Sequence, residues 1–143
     1  MGGLINAEEA KILDAITGKT AFTALTHYVG VSTSTPTEAG ATFTEPSAAA
    51  YARKQITAAT WTAATGGDPS STSYGAQITF AAATGGWGTL THFGLFSVAT
   101  LATGLPIFWG TLTQAKAIQT NDSLSFSANT LFIKLGDPPD VYT

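Results

Sequence analysis

Cysteine is absent, and with it go a disulfide framework, a thiol nucleophile and every zinc site built on thiolates. Charge is scarce: Asp, Glu, Lys and Arg make up 10% of the chain, against roughly a quarter in an ordinary soluble domain. Apart from the neighbours Arg53 and Lys54 the Lys and Arg residues stand singly, and the net charge is −3. No basic cluster can displace counterions from phosphates, so no nucleic-acid partner is expected. No apolar run approaches the length of a membrane span, and no membrane partner is expected either. The first residues, MGGLINAEEAK, carry neither the basic nor the apolar stretch of a secretory leader. Such a chain is expected to be made and folded in the cytoplasm. Few charges also leave little to hydrate a free monomer's surface, which points to an oligomer or a larger assembly.

What replaces the missing charge is Thr, Ser and Gly, the residues of strands and turns. At 143 residues the chain is expected to form one domain, residues 1–143, around a single core. Residues 1–21 read as a lead-in with the one convincing helix. Asn6 is placed to cap it, Glu9 three residues on completes an approximate capping box, and Gly18 is a natural stop. Its apolar stripe, with Ala10, Leu13 and Ile16, needs a sheet or a neighbouring subunit to lie on. Residues 22–135 lose the helical period. Strands are expected at 25–32 (LTHYVGVS), 51–61 (YARKQITAATW), 74–80 (YGAQITF), 124–127 and 130–135, with a loop at 33–40 punctuated by Pro36 and Gly40. Lys54 beside Ile56, and Arg53 beside Tyr51, suggest a strand near a sheet edge. The turns at 64–67, 83–86 and 102–104 resemble one another, with Gly expected to supply positive φ. Residues 136–143 (GDPPDVYT) cannot continue a strand through the Pro-Pro pair and form an extended tail.

The centre of the chain is a hairpin, strands 87–98 and 105–112, holding Trp87, Phe93, Leu95, Phe96, Ile107, Phe108 and Trp109. Both alternating sets of the first strand carry large apolar residues: Phe93 and Leu95 on one, Leu90, Phe96 and Val98 on the other. A strand apolar on both faces needs cover on both. That cover is expected from the helix, an opposing sheet or another subunit. The pattern as a whole is mainly β: an antiparallel β-sandwich or jelly-roll-like single domain with one short N-terminal helix and an extended C-terminal tail.

Catalytic chemistry is hard to find. His27 and His92, the only histidines, lie in predicted strands without a second ligand at metal spacing. A Ser–His–Asp set assembled across the fold stays open, but no GxSxG elbow or oxyanion loop marks a nucleophile. Glu38, Glu45, Asp68, Asp122 and Asp137 fall singly in loops and read as solvated turn residues. The Gly-rich turns have no Lys after them and open no helix, so they are not phosphate loops. No cofactor, no metal and no enzymatic activity are expected. Trp109 reads as core, while Trp87, near a turn, could equally stack on a sugar or anchor an interface.

Six segments together carry a family resemblance: AKILDAITGKTAF (10–22), YVGVSTSTPT (28–37), YAR (51–53), GWGTLTHFGLF (86–96), FWGTLT (108–113) and IQTNDSLSF (118–126). With them the chain resembles a family of small phage virion proteins, often labelled tail fibre or minor structural proteins, several of which look like capsid decoration (cement) proteins. The resemblance implies a β-sandwich with no catalytic residues, made in the host cytoplasm and carried on the virion. On that basis the first expectation is a decoration protein on the capsid surface. It would bind the major capsid protein as a homo-oligomer, a trimer by analogy with decoration proteins. The alternative is a tail-fibre or receptor-binding module that recognises a host glycan through loops such as 33–40 and 68–73. Interface residues expected from the sequence are Leu13, Ile16, Trp87, Phe93, Phe96 and Phe108, with Val141 and Tyr142 of the tail reaching a partner.

Overall fold

The computed structural model describes residues 3–47, 49–67 and 69–135. Its elements are β1 (Gly3–Leu4), α1 (Asn6–Ile16), β2 (His27–Ser32), β3 (Lys54–Ile56), a 3-10 turn (Ala58–Thr60), β4 (Ser70–Ser73), β5 (Ile78–Thr79), β6 (Gly88–Phe96), β7 (Phe108–Ile118), β8 (Ser125–Phe126) and β9 (Phe132–Leu135). Five strands form one antiparallel sheet in the order β1-β7-β6-β2-β3, and the ribbons β4-β9 and β5-β8 stand beside it. The protein is mainly β and antiparallel, with one short N-terminal helix, as its composition and turn spacing imply. The expected tail, with Val141 and Tyr142, lies outside the described residues.

The β6–β7 hairpin is the middle of the sheet. The second strand starts later than its sequence suggests and runs further. Leu105 and Pro106 still belong to the turn, where Ala102 and Gly104 take positive φ. The strand then continues through the polar TQAKA stretch to Ile118. That extension is possible because β7 bulges. Leu90 pairs with Lys116 and His92 with Thr111, which leaves Leu112, Thr113, Gln114 and Ala115 opposite Thr91 alone. A bulge of this kind bends the strand and re-aims its side chains. Of the three related turns only the last uses a glycine at positive φ. Gly66, Gly67, Gly85 and Gly86 keep ordinary backbone angles.

Paired residues in an antiparallel ladder share a face, so the register sorts the hairpin's apolar residues. Val29, Val31, Phe93, Leu95 and Phe108 point to one side. There they meet the ribbons: Phe93 packs against Phe126 at 6.2 Å between ring centroids, and Tyr74, Ile78, Phe80, Leu124 and Leu131 complete the main core. Gly30, Gly94, Phe96, His92 and Trp109 point to the other side. Its cover is neither the helix nor an opposing sheet but the polar-looking loop after β2. Phe43 meets Phe96 edge-to-face at 5.1 Å. The loop sits so close that a Cβ on Gly94 would lie 2.7 Å from the Phe43 ring, and one on Gly30 would lie 2.7 Å from the Glu45 carboxylate. Bare backbone at these two positions is what admits the loop.

The expected strand at 51–61 shrinks to β3. It does lie at the sheet edge, but Tyr51 and Arg53 leave the ladder: the Tyr51 ring joins the main core while its hydroxyl and Arg53 reach the loop-covered side. The Tyr51 hydroxyl accepts a hydrogen bond from Val31 N at 2.9 Å and donates one to Glu45 Oε1 at 3.0 Å. Arg53 is thus not an exposed edge charge, nor Glu45 a solvated turn residue. Arg53 Nε and Nη2 donate to the two Glu45 oxygens at 2.9 and 2.7 Å, with both side chains almost fully enclosed. Arg53 Nη1 donates to Val98 O and Thr103 O in the hairpin turn. Its guanidinium lies 3.5 Å from the centre of the Phe96 ring.

Candidate functional site

The N-terminal lead-in is built into the sheet before it leaves it. β1 pairs with Phe108 and Trp109 of β7. Ile5 is buried and donates to Ile107 O at 3.2 Å, and Asn6 N donates to Glu38 O at 3.2 Å. Ile5, not Asn6, is the N-cap residue, and no side chain caps the helix. The first turn is anchored through backbone bonds to the body of the protein, which takes over the work expected of Asn6. Gly18, at φ +78°, ends the helix as its sequence position implies, with Gly18 N and Lys19 N returning to Ala15 O and Asp14 O.

Beyond its first residues α1 stands away from the sheet, and none of its residues is buried. Leu13 and Ile16 are 62% and 69% exposed, and in the segment after the helix Phe22, at 73%, and Leu25, at 41%, are exposed as well. Between the helix and residues 20–25 runs a groove of about 410 Å³ lined by Leu4, Ile12, Ala15, Phe22, Leu25 and Ile107. Its charged rim is self-neutralised by the Lys11–Glu8 ion pair at 2.6 Å. Large apolar side chains held this open are the mark of a surface that meets something else.

The other expected interface residues part company. Trp87, Phe96 and Phe108 are buried within the subunit, so their side chains have no area left to offer a partner. Trp87 in particular does not stack on solvent-borne sugar. Its ring meets Tyr51 and Phe80, and its indole N–H donates to Ala49 O at 2.9 Å. Phe93 is half-buried and belongs largely to the core. Trp109 is buried, as read from the sequence.

Among the described residues neither histidine is hydrogen-bonded to a carboxylate. The His92 Nδ1 shares a hydrogen with Thr91 Oγ1 at 2.8 Å, and its ring meets Trp109 edge-on at 5.8 Å. Burial, with a smaller contribution from the N-terminal charge, holds it below the usual histidine range. Burial does the same to His27, whose Nδ1 is enclosed without a hydrogen-bond partner among the described residues. Among the described residues no three His, Asp or Glu side chains gather into a metal-binding group, and no helix is long and apolar enough to cross a membrane.

A family model described as podophage GP4 fiber I protein gp80 matches residues 3–134. The match takes in the sheet, both ribbons and α1, and the chain belongs to that family of phage fibre proteins. It is therefore a phage structural protein and a component of the virion. Among curated proteins, none matches it.

Proposed function

We propose that this protein is a non-enzymatic building block of the phage fibre, assembled from copies of itself, which meets a glycan on the host surface. The family's description favours the fibre over the capsid surface. The observation that carries the assembly is the exposure of four large apolar side chains on α1 and the segment after it, Leu13, Ile16, Phe22 and Leu25. In an isolated subunit these side chains face water at a cost of about 25 cal/mol for each Å² of apolar surface, and a second copy relieves it. A three-fold arrangement closes the assembly around a single axis along which a fibre can run. The role is mechanical: many copies joined by modest contacts give a strong array.

Immunogold labelling of intact virions tests the location. Label on fibres, at a handful of sites per particle, is the expected result. Label spread over the head in hundreds of copies overturns the fibre reading in favour of a capsid-bound clamp. The mass of the free protein in solution tests the assembly, and a strictly monomeric species at micromolar concentration counts against it.

A further inference from the structure

The β7 bulge forms one wall of a cleft of about 440 Å³, with the β8 segment and the turn before β9 as the other. Phe93 and Phe126, both half-buried, line it with their rings inclined at 65° to each other. The bulge supplies Thr113, Gln114 and Lys116, and the opposite wall supplies Ser125. Regular pairing along β7 would tie the strand's side chains to strict alternation. The four-residue excursion frees them to edge the cleft.

We propose that this cleft is a carbohydrate site that takes a pyranoside bearing a carboxylate; the proposal rests on the host-contact reading above. A pyranose ring has an apolar C–H face that lies on aromatic rings and an equatorial rim of hydroxyls. The cleft offers both counterparts. Its size suits one or two sugar rings. The Gln114 amide donates and accepts at once, as adjacent hydroxyls require. Thr113, Gln114 and Ser125 make no side-chain hydrogen bond to other described residues, so their polar heads are available. Among the described residues Lys116 is the one charged residue lining the cleft, it has no ion-pair partner, and no Asp or Glu lines the cleft beside it. A sugar carboxylate supplies the missing partner.

The test is an NMR titration of the full-length protein with two disaccharides, one containing glucuronic acid and the other glucose in its place. The expected result is shift changes centred on residues 111–116 and 125–126, with the acidic sugar bound about threefold more tightly at low salt. Lys116→Met removes that preference and leaves the neutral sugar unaffected, while Gln114→Ala weakens both. Both side chains are exposed, and unchanged urea midpoints show that the fold is intact. Shifts centred on other loops overturn the cleft assignment and leave host contact standing. A preference for the acidic sugar that survives Lys116→Met overturns the role of the lysine and the ligand class with it. No binding of either sugar, alongside virion label on the fibres, overturns the cleft while the fibre location stands.

Discussion

Arg53 and Glu45 form a two-pronged ion pair inside the subunit, with donor–acceptor distances of 2.9 and 2.7 Å. The same guanidinium holds the hairpin turn through Val98 O and Thr103 O. Breaking such a pair from one side is expensive because the surviving charge stays enclosed. Arg53→Met should cost about 3–5 kcal/mol, read from the urea midpoint. Adding Glu45→Gln should recover part of that loss. A double variant no more stable than Arg53→Met would show that the bonds to the turn, not the charge pair, carry the effect.

The fit of Phe43 over Gly94 is equally specific. Gly94→Ala places a methyl 2.7 Å from the ring, and should destabilise the protein by about 1–3 kcal/mol as the loop is pushed off the sheet. Phe43→Ala removes the obstacle. Combined with Gly94→Ala, it should cost less than the sum of the two single changes by about 0.5–3 kcal/mol. Simple additivity in the double-mutant cycle would mean that the loop yields without strain.

The exposed apolar side chains of α1 and the segment after it separate assembly from folding. Leu13, Ile16 and Phe22 are well exposed, so replacing each with Ser should move subunit stability by no more than about 0.5 kcal/mol. The mass in solution, measured by light scattering during gel filtration, should nevertheless fall to that of a single chain. An oligomer that persists in the triple variant would locate the contact elsewhere.

Acid should loosen the fold before most carboxylates are protonated. Burial lowers the folded values of His27 and His92, so the native state favours their neutral forms. The stability they contribute is full above the unfolded value of about 6.5 and is lost as pH falls toward and through the folded values. Melting temperature should therefore drop between about pH 7.5 and 5.5. His27→Gln should flatten that slope, and an unchanged slope would assign the effect to His92 alone.

Much of this architecture is legible in the sequence because it depends on local signals. Gly18 ends the helix by its own backbone freedom, and the alternation around Phe93 and Leu95 gives a strand with a core face. What escapes is what depends on distant partners. Glu45 looks like a solvated loop residue until the chain brings Arg53 beside it. Trp87 looks free to stack on a ligand until Tyr51, Phe80 and Ala49 O surround it. The bulge leaves no periodic trace, since TQAKA reads as a plain polar stretch. Of the exposed apolar residues, Leu13 and Ile16 could be read from helical spacing, whereas Phe22 sits in a segment without period and Leu25 opens an expected strand that begins only at His27. Their exposure is a property of the loop's path.

The pairing of Gly3 and Leu4 with Trp109 and Phe108 sets a schedule. During synthesis the first strand emerges long before the one it must join, and waits until most of the chain has left the ribosome. Ile5 and the helix behind it wait too, because their anchors at Ile107 and Glu38 come from the same late-formed body. The apolar surface proposed above to gather copies together is thus presented in its final orientation only once a subunit is complete. Unfinished chains do not yet hold that surface in place, so the proposed assembly would carry a built-in check on maturity.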